Sequence, residues 1–358
     1  MRNTVSFALV LLGAVGLPAA TAGQDESPLQ IHGYMTQGWG IADGGTFAGV
    51  PEGGTADYRN LAIQFRYGMS RHDNLTFQFS HRRLGANAIV VGEPDVKLDW
   101  AFYGRQAGAL SFRVGRIPIP AGIYNEVRDV GVLLPLYRAP FNFYLEGAFT
   151  SETVDGAVAS YELFSGAPWS LEVSGYYGRY DMINRANVGG TYVPVPTNVD
   201  EVVGGQAWLN TPVDGVRFGG GISTQQVEQG DFAGTWTIWH ASADVSLSRV
   251  TARAEYRSFD LPVLDYVAYY GYLGVNVTHQ LTLHGQADFA DLTYGPLPQL
   301  DMNDAYTVGV SFAFRPNLVL KGEVHFTEGY WSDVPVLDPT SQSPASVRYA
   351  LISLSTAF

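Results

Sequence analysis

The chain has 358 residues, of which 34 are acidic, 21 are basic and 13% are aromatic, and it contains 41 Gly and no Cys. The absence of Cys excludes a disulfide framework, a thiolate metal site and a thiol nucleophile. The formal net charge of −13 gives no electrostatic reason to expect a nucleic-acid partner. A mean hydropathy of +0.00 excludes both a bundle of transmembrane helices and a disordered polymer.

Residues 1–22 have the features of a cleaved export signal. Arg2 supplies a positive charge, an uncharged apolar run follows, and the small residues Ala20 and Ala22 occupy the two positions that a signal peptidase reads. The apolar run is shorter than the ~20 residues that a helix needs to span a bilayer. We therefore expect cleavage after Ala22 and an exported mature chain of residues 23–358.

The mature chain alternates apolar and polar residues in segments of about ten, which is the pattern of transmembrane β-strands. Short turns alternate with longer loops, so that about sixteen strands account for its length. The expected short turns are 69–74, 106–109, 212–215, 247–249, 278–280 and 315–317. The expected longer loops are 41–56, 181–201, 226–234, 291–303 and 329–345.

One face of each segment is rich in Leu, Val and Phe, whereas the opposite face carries charged and amide side chains. Segment 96–105 is an example: the alternation assigns Leu98, Trp100 and Phe102 to the apolar face, and Lys97 and Arg105 to the polar face with Asp99, Ala101 and Tyr103. A soluble β-sandwich would carry its charges outside. Aromatic residues near segment ends also suggest interfacial girdles. These are Tyr34, Trp39, Tyr67, Trp100, Trp169, Tyr256, Tyr306 and Tyr349.

The predicted fold class is all-β: a transmembrane antiparallel β-barrel of about sixteen strands with an inward-folded constriction loop. In lipid every backbone polar group must pair internally, so a strand-built membrane protein must close. About sixteen strands leave a lumen, and polar inner faces fill it with water. We therefore expect a channel for passive diffusion of small hydrophilic solutes or ions, surrounded by outer-membrane lipids, with no cofactor and no metal.

The proline-rich segment 117–146 interrupts the strand pattern, because four prolines remove donors that a central strand needs. We expect it to fold into the barrel mouth and to narrow the channel. Its charged residues are Glu126, Arg128, Asp129, Arg138 and Glu146. The basic residues predicted on the channel wall are Arg66, Arg82, Lys97, Arg105, Arg113 and Arg116.

Two interpretations of these charges stay open. A basic wall facing a mixed loop creates a field that sorts solutes by charge, which would make the channel anion-leaning. Alternatively, the arginines pair with Asp99, Glu126 and Asp129 to hold the loop. Strand acids such as Glu255, Asp288 and Glu323 temper the basic lumen.

The export signal, the strand pattern, the inserted segment and the terminal Phe358 resemble the general porin superfamily of Gram-negative outer membranes. Within it, residues 113–129 (RVGRIPIPAGIYNEVRD) resemble the constriction-loop entrance of phosphate-selective-porin-like proteins. The matching residues are Gly115, Arg116, Pro120, Gly122, Tyr124, Asn125, Glu126, Arg128 and Asp129. The resemblance implies a homotrimer and a ladder of basic residues, for which Arg66, Arg82, Lys97, Arg105 and Arg113 are the candidates.

Two other classes of protein are alternatives. An outer-membrane barrel enzyme of the lipase or protease type would need a nucleophile, a base and an orienting group at one rim. The seven His are scattered, and neither G-x-S-x-G nor H-E-x-x-H occurs. A soluble secreted glycan-binding β-protein is the second alternative, suggested by the Trp and Tyr content; it would stay in solution without detergent.

Overall fold

In a computed structural model the chain forms one closed β-barrel. The structure describes residues 27–87, 95–145, 151–164, 166–188, 191–228, 233–330 and 344–358, without the side chains of 183–195. The predicted signal peptide and Glu146 lie outside these ranges.

Sixteen strands occur in the described part of the chain, each antiparallel to its neighbours, and β1 pairs with β16 to close the barrel. The predicted strand number is therefore confirmed. The strands are β1 (Leu29–Asp43), β2 (Thr55–Gly68), β3 (Asp73–Leu84), β4 (Lys97–Ala107), β5 (Leu110–Pro118), β6 (Thr153–Leu163), β7 (Ser170–Val188), β8 (Thr191–Asn210), β9 (Val216–Val227), β10 (Gly234–Ser246), β11 (Val250–Asp260), β12 (Leu264–Asn276), β13 (Leu281–Tyr294), β14 (Leu300–Arg315), β15 (Leu318–Gly329) and β16 (Ala345–Ala357).

The outer face of the barrel is apolar, whereas the inner face carries the polar and charged side chains together with a cluster of buried apolar ones. On β14, Val308 and Val310 are 59% and 41% exposed, whereas Thr307 between Tyr306 and Val308 is 4% exposed. Leu, Val, Ile and Phe side chains are exposed in the same way on most other strands. Burying such a band in hydrocarbon is favourable, and the closed ladder leaves no strand edge unpaired. The predicted orientation of the two faces is therefore confirmed for a membrane-spanning barrel.

The connections differ from the prediction in two regions, since of the predicted loop 291–303 only residues 295–299 connect β13 to β14. Residues 181–201 were predicted to form a long loop, but β7 and β8 extend to Val188 and from Thr191 and pair along this length. The prediction was wrong because glycine and proline were given more weight than the Thr, Tyr and Val residues between them, which favour extended structure. The strands therefore project beyond their neighbours at the long-loop end of the barrel.

A β-bulge in β4 changes which of its residues face the lumen. The register with β3 shifts between Gln78 and Phe79, so that Trp100 pairs with Gln78 and Phe102 with Thr76. Gln78 and Thr76 are buried on the inner face, and directly paired residues point to the same side of a sheet. Trp100 and Phe102 therefore face the lumen, and the outward assignment was wrong because one extra residue shifts the period of two.

Two more of the predicted girdle aromatics also lie inside the barrel. Tyr34 is 8% exposed, and Tyr349 is 4% exposed and stacks on His325 with ring centroids 4.1 Å apart. Trp39 and Tyr306 are exposed on the outer face, as expected for an interfacial belt. The girdle thus has fewer members than predicted, because the aromatic residues were chosen for their position near strand ends and not for the face that they occupy. Tyr34 and Tyr349 have the opposite parity to the outward Met35 and Ile352 on the same strands.

Candidate functional site

The connection between β5 and β6 folds into the barrel, as predicted. Its described residues 119–145, here called the constriction segment, contain a 3-10 turn at Gly131–Leu133 and an α-helical turn at Phe141–Tyr144. None of the helices in the described part of the chain is long and apolar enough to cross a membrane. The segment contacts Arg113 on β5 and Lys321 on β15, strands that are not neighbours in the ring. It therefore reaches across the interior.

Lys321 anchors the middle of the constriction segment. Its Nζ donates hydrogen bonds to the carbonyl oxygens of Gly131, Leu134 and Leu136, at 2.6, 2.7 and 2.8 Å. An ammonium group has three hydrogens, and all three are donated to these carbonyl groups. Because the side chain is only 3% exposed, water cannot take the place of these bonds. This wall cation therefore binds the backbone of the segment instead of facing the channel.

Glu255 on β11 holds both ends of the segment. Its Oε1 accepts hydrogen bonds from the Ile123 amide at 2.9 Å and from the Ser242 hydroxyl at 2.6 Å. Its Oε2 accepts bonds from the hydroxyls of Tyr144 and Tyr270 at 2.6 and 2.7 Å. Four donors satisfy a carboxylate that is 3% exposed, which is the condition for burying such a charge.

Two further wall carboxylates accept backbone amides of the segment. Glu323 on β15 accepts from the Tyr137 amide at 3.1 Å, and Asp288 on β13 accepts from the Asn142 amide at 3.2 Å. Both amides would otherwise be buried donors without a partner, which costs about 1–3 kcal/mol each. The polar inner faces of β11, β13 and β15 were predicted correctly, but their role as anchors was not.

The segment returns to the wall through a cluster of charges. Glu152, just before β6, accepts hydrogen bonds from Arg128 and, at 3.3 Å, from Arg82. Burial alone would raise the pKa of Glu152, but the two guanidinium groups lower it well below the usual range. The Asn60 amide donates to Asp129 at 2.7 Å. Burial, assisted by the Glu152 charge, raises the pKa of Asp129 to about 7.

Eight of the ten predicted site residues lie inside the barrel. They are Arg66, Arg82, Lys97, Arg113, Glu126, Arg128, Asp129 and Arg138. Arg138 is 7% exposed, donates to the Ala48 carbonyl at 3.1 Å and lies over the Tyr58 ring at 5.5 Å. It packs the segment against the wall and does not face the channel.

Arg113 and Glu126 form a charged pair whose two side chains are both accessible inside the barrel. Arg113 Nη1 lies 2.9 Å from Glu126 Oε1, and the two side chains are 24% and 45% exposed. Arg113 also lies over the Phe102 ring, 5.9 Å from its centroid. Each interpretation therefore applies to part of the charges. Arg82 and Arg128 hold the segment, whereas Arg113 and Glu126 both hold the segment and present charge to the channel.

Arg105 lies on the outer face, contrary to the prediction. Past the β4 bulge it shares a face with Tyr103, and it forms an ion pair with Asp73 at 2.9 Å. Its partner on β5 is Phe112, which is exposed on the outside. The shift of period at the bulge moved Arg105 out of the lumen together with Tyr103.

Arg116 also lies on the outer face. Its neighbour Ile117 and the opposite residue Val154 are fully buried on the inner side, so Arg116 and its partner Asp155 point away from the lumen. The two form a bidentate ion pair of 2.7 and 2.8 Å. The period of two is unbroken along β5, and Arg116 lies two residues after the outward-facing Val114. The prediction was wrong because it placed both Arg113 and Arg116 on the inner face, although three residues separate them.

Sequence reasoning missed a second charged group on the wall. Asp244 accepts hydrogen bonds from Arg217 and Arg253, at 2.9 and 3.0 Å, and Arg253 donates to the Tyr124 hydroxyl of the segment at 2.7 Å. Burial raises the pKa of Tyr124 strongly. Arg253 lies on the same face of β11 as Glu255, but no sequence signal links β9, β10 and β11 to Tyr124.

The contacts of the histidines bear on the enzyme alternative. His284 Nε2 lies 2.8 Å from the Ser311 hydroxyl, but its Nδ1 meets the Tyr272 hydroxyl and not a carboxylate. His325 contacts Thr307 and Glu323, yet all three are more than nine-tenths buried. A nucleophile that substrate cannot reach performs no catalysis. Within the described residues no group of three or more His, Asp or Glu is placed to hold a metal ion.

Comparison with solved structures relates this barrel to outer-membrane proteins. OmpF of Salmonella typhi, in complex with daunomycin, is 12% identical with a TM-score of 0.64, over 92% of this chain and 97% of that one. An anion-selective porin from Comamonas acidovorans is 10% identical with a TM-score of 0.59, over 93% and 100%. The outer membrane channel DcaP of Acinetobacter baumannii is also 10% identical with a TM-score of 0.59, over 92% and 97%. No protein-family model and no curated protein sequence matches the chain.

These likenesses cover nearly the whole of each chain. At identities of 10–12% they establish the fold: a sixteen-stranded barrel of the outer-membrane porin type. The phosphate-selective subtype that residues 113–129 resemble receives no support from them. Two of the nine matching residues, Gly115 and Arg116, lie on β5 rather than in the constriction segment.

Proposed function

We propose that the chain is an outer-membrane porin, a water-filled channel for the passive diffusion of small hydrophilic solutes and ions. The observation that carries this proposal is the constriction segment, anchored inside a closed barrel by wall residues such as Lys321 and Glu255. A barrel of this strand number has an interior too wide for its own side chains to fill. A fixed internal segment sets the width of such a channel without closing it.

The polarity of the two faces supports the same proposal. The apolar outer face fits a bilayer, and the inner face carries amide, hydroxyl and charged side chains, of which Arg66 and Arg113 are open to the lumen. One structure with the same fold is described as an anion-selective porin and another as an outer membrane channel. Passive diffusion requires no further machinery, so no catalytic group is needed.

We infer that the channel prefers anions weakly. Arg66 lines the lumen near the short-turn end of β2 and, in the part of the chain that the structure describes, it has no ion-pair partner. Arg113 faces the water but is paired with Glu126, and Arg82 and Arg128 are paired with Glu152. Most wall charge is therefore compensated, and only a small positive surplus is left to attract anions.

The proposal includes export and assembly. We propose that residues 1–22 are removed on export and that residues 23–358 insert into the outer membrane. The homotrimer implied by the porin resemblance is part of the same proposal. Chemical crosslinking of the protein in native outer membranes tests it: a trimer band is expected, and a monomer alone would contradict the assembly while leaving the channel function open.

Single-channel recording tests the channel function. The mature protein, folded in detergent and added to a planar lipid bilayer, is expected to give stepwise conductance increments. A KCl gradient across the bilayer then gives the reversal potential and with it the ion preference. Circular dichroism of the same sample verifies folding. A folded protein that produces no steps, or that stays in solution without detergent, contradicts the proposal.

A further inference from the structure

The β4 bulge places two aromatic rings on the inner wall, beside polar and basic side chains. Trp100 and Phe102 face the lumen because they pair with the inner residues Gln78 and Thr76. Both rings keep part of their surface exposed, and they line an open pocket instead of packing against the constriction segment. Contact between an apolar ring and water is unfavourable. A flat apolar solute that covers the rings would remove this contact and so gain binding free energy.

The rings belong to a pocket of about 350 Å³ on the wall formed by β2 to β5. This size falls within the ~300–1,000 Å³ typical of small-molecule sites. No Asp or Glu is among the described residues that line the pocket. The lining side chains relevant here are Gln64, Arg66, Thr76, Trp100, Phe102 and Arg113.

The positive charge and the aromatic rings are separated by one strand. Arg66 pairs with Thr76 on β3, and Thr76 pairs with Phe102 on β4, so the three residues form one row across the wall. Neighbouring strands are ~4.8 Å apart, so the backbones of Arg66 and Phe102 are about 10 Å apart. Both side chains line the same pocket, and the distance between their strands leaves room for a small ring bearing one carboxylate.

We propose that this pocket is a transient binding site for small aromatic carboxylates on their way through the channel. The solute ring lies against Trp100 and Phe102, and the carboxylate accepts hydrogen bonds from Arg66. Gln64 and Thr76 lie in the same two rows of the wall and supply further polar contacts. The inference rests on the proposed channel function and adds a class of solute to it.

Arg66 is better suited to this role than Arg113. The Arg113 guanidinium is already bound to Glu126 at 2.9 Å and would have to exchange that partner. Arg66 can bind a carboxylate without such an exchange. Aromatic rings contribute through dispersion and ring-edge contacts that a simple inorganic anion does not make. The pocket should therefore distinguish benzoate from acetate, although both carry the same charge.

Block of single-channel current provides the test. Benzoate, acetate and benzyl alcohol are added separately to conducting wild-type channels. Benzoate is expected to reduce the current in a saturable manner, and acetate and benzyl alcohol to require about tenfold higher concentrations, because each lacks one of the two contacts. The variants Trp100→Leu and Phe102→Leu are expected to weaken the benzoate block about fivefold each.

Arg66→Gln supplies the charge arm of the test. It is expected to weaken the block by benzoate about tenfold, whereas Arg116→Gln, which removes an arginine from the outer face, leaves the block unchanged. Circular dichroism and the unblocked conductance verify that each variant is folded. Equal block by benzoate and acetate, or a block that survives both Leu substitutions, would overturn the inference.

The experiment distinguishes failure of the proposed binding site from failure of the proposed channel function. A wild-type channel that conducts but does not respond to benzoate overturns only the binding site. A folded protein without conductance overturns the channel. In that case tryptophan fluorescence still decides on the pocket: benzoate should quench the wild type, and quenching that is unchanged in Trp100→Leu contradicts the assignment.

Discussion

The ammonium group of Lys321 on β15 lies 2.7 Å from the carbonyl oxygen of Leu134 in the constriction segment. Lys321 is buried, and its other two hydrogens are donated to Gly131 and Leu136. Lysine is very rarely this buried unless it is paired. The constriction segment is therefore fixed to the barrel wall by buried hydrogen bonds.

Lys321→Met should destabilise the barrel and loosen the constriction segment. The substitution leaves three carbonyl groups without a donor, so we expect the free energy of unfolding to fall by about 3 kcal/mol. Urea unfolding in detergent measures this, and open-channel current noise should rise. As a control, Arg105→Met removes a cation from the exposed outer face and should cost at most about 1 kcal/mol. Equal losses for the two variants would argue against the anchor.

Arg113→Glu should shift the ion preference towards cations. The change reverses a charge that faces the water beside Glu126, and about 1 kcal/mol at 4 Å in water corresponds to about a fivefold change in the permeability ratio. The reversal potential in a KCl gradient measures it. Arg116→Glu makes the same change on the outer face and should leave the reversal potential unchanged. A shift of similar size in both variants would refute the assignment of Arg116 to the outside.

Asp129 should make the stability of the barrel fall as the pH rises through weakly acidic values. Burial raises the pKa of Asp129 from its ordinary value of 3.8 to about 7. The native state therefore binds a proton between about pH 4 and 7 that the unfolded chain has lost, and stability decreases across this window by up to about 1.4 kcal/mol per pH unit.

Asp129→Asn should remove this slope between pH 5 and 7, because Asn keeps an oxygen that accepts the hydrogen bond from Asn60. Urea midpoints at pH 5, 6 and 7 provide the measurement. Glu152 acts in a separate window: its pKa lies below the ordinary value of 4.5, so its contribution is lost only as the pH falls below about 4.5. An unchanged slope in Asp129→Asn would show that another group causes it.

Gly131→Ala should displace the constriction segment. A Cβ at this position would lie 2.0 Å from the Thr36 hydroxyl oxygen and 2.5 Å from that of Ser355, so the 3-10 turn must move away from β1 and β16. We expect a loss of about 1–3 kcal/mol and an altered single-channel conductance. Gly285→Ala is the matched control, since nothing lies within 4 Å of its Cβ. Wild-type conductance in Gly131→Ala would contradict this packing.

Most of the barrel follows from the local sequence. A strand in lipid must alternate with a period of two. The faces that residues such as Val308 and Thr307 occupy can therefore be predicted without knowing which strands pair with theirs. The prolines of segment 117–146 likewise exclude a central strand there. Prediction failed where the period is broken: the bulge in β4 reversed Trp100, Phe102 and Arg105, since a bulge arises from pairing between two strands.

The roles of the charges could not be predicted in the same way. Glu255, Asp288 and Glu323 were expected on the inner face, but nothing local distinguishes a side chain that faces water from one that meets the segment. That distinction depends on which part of a long connection arrives at each strand. The same holds for Arg128, which meets Glu152 across 24 residues.

The amino-acid sequence by itself determined a closed membrane barrel of sixteen strands with an internal segment, because each of those features follows from requirements that act residue by residue: apolar contact with lipid, paired backbone groups and prolines that cannot join a ladder. Only the tertiary structure decided which charged side chains bind the constriction segment and which are exposed in the lumen. Lys321 and Arg66 are both cations on the inner face. Long-range folding buries the first beneath the segment and leaves the second open to the lumen.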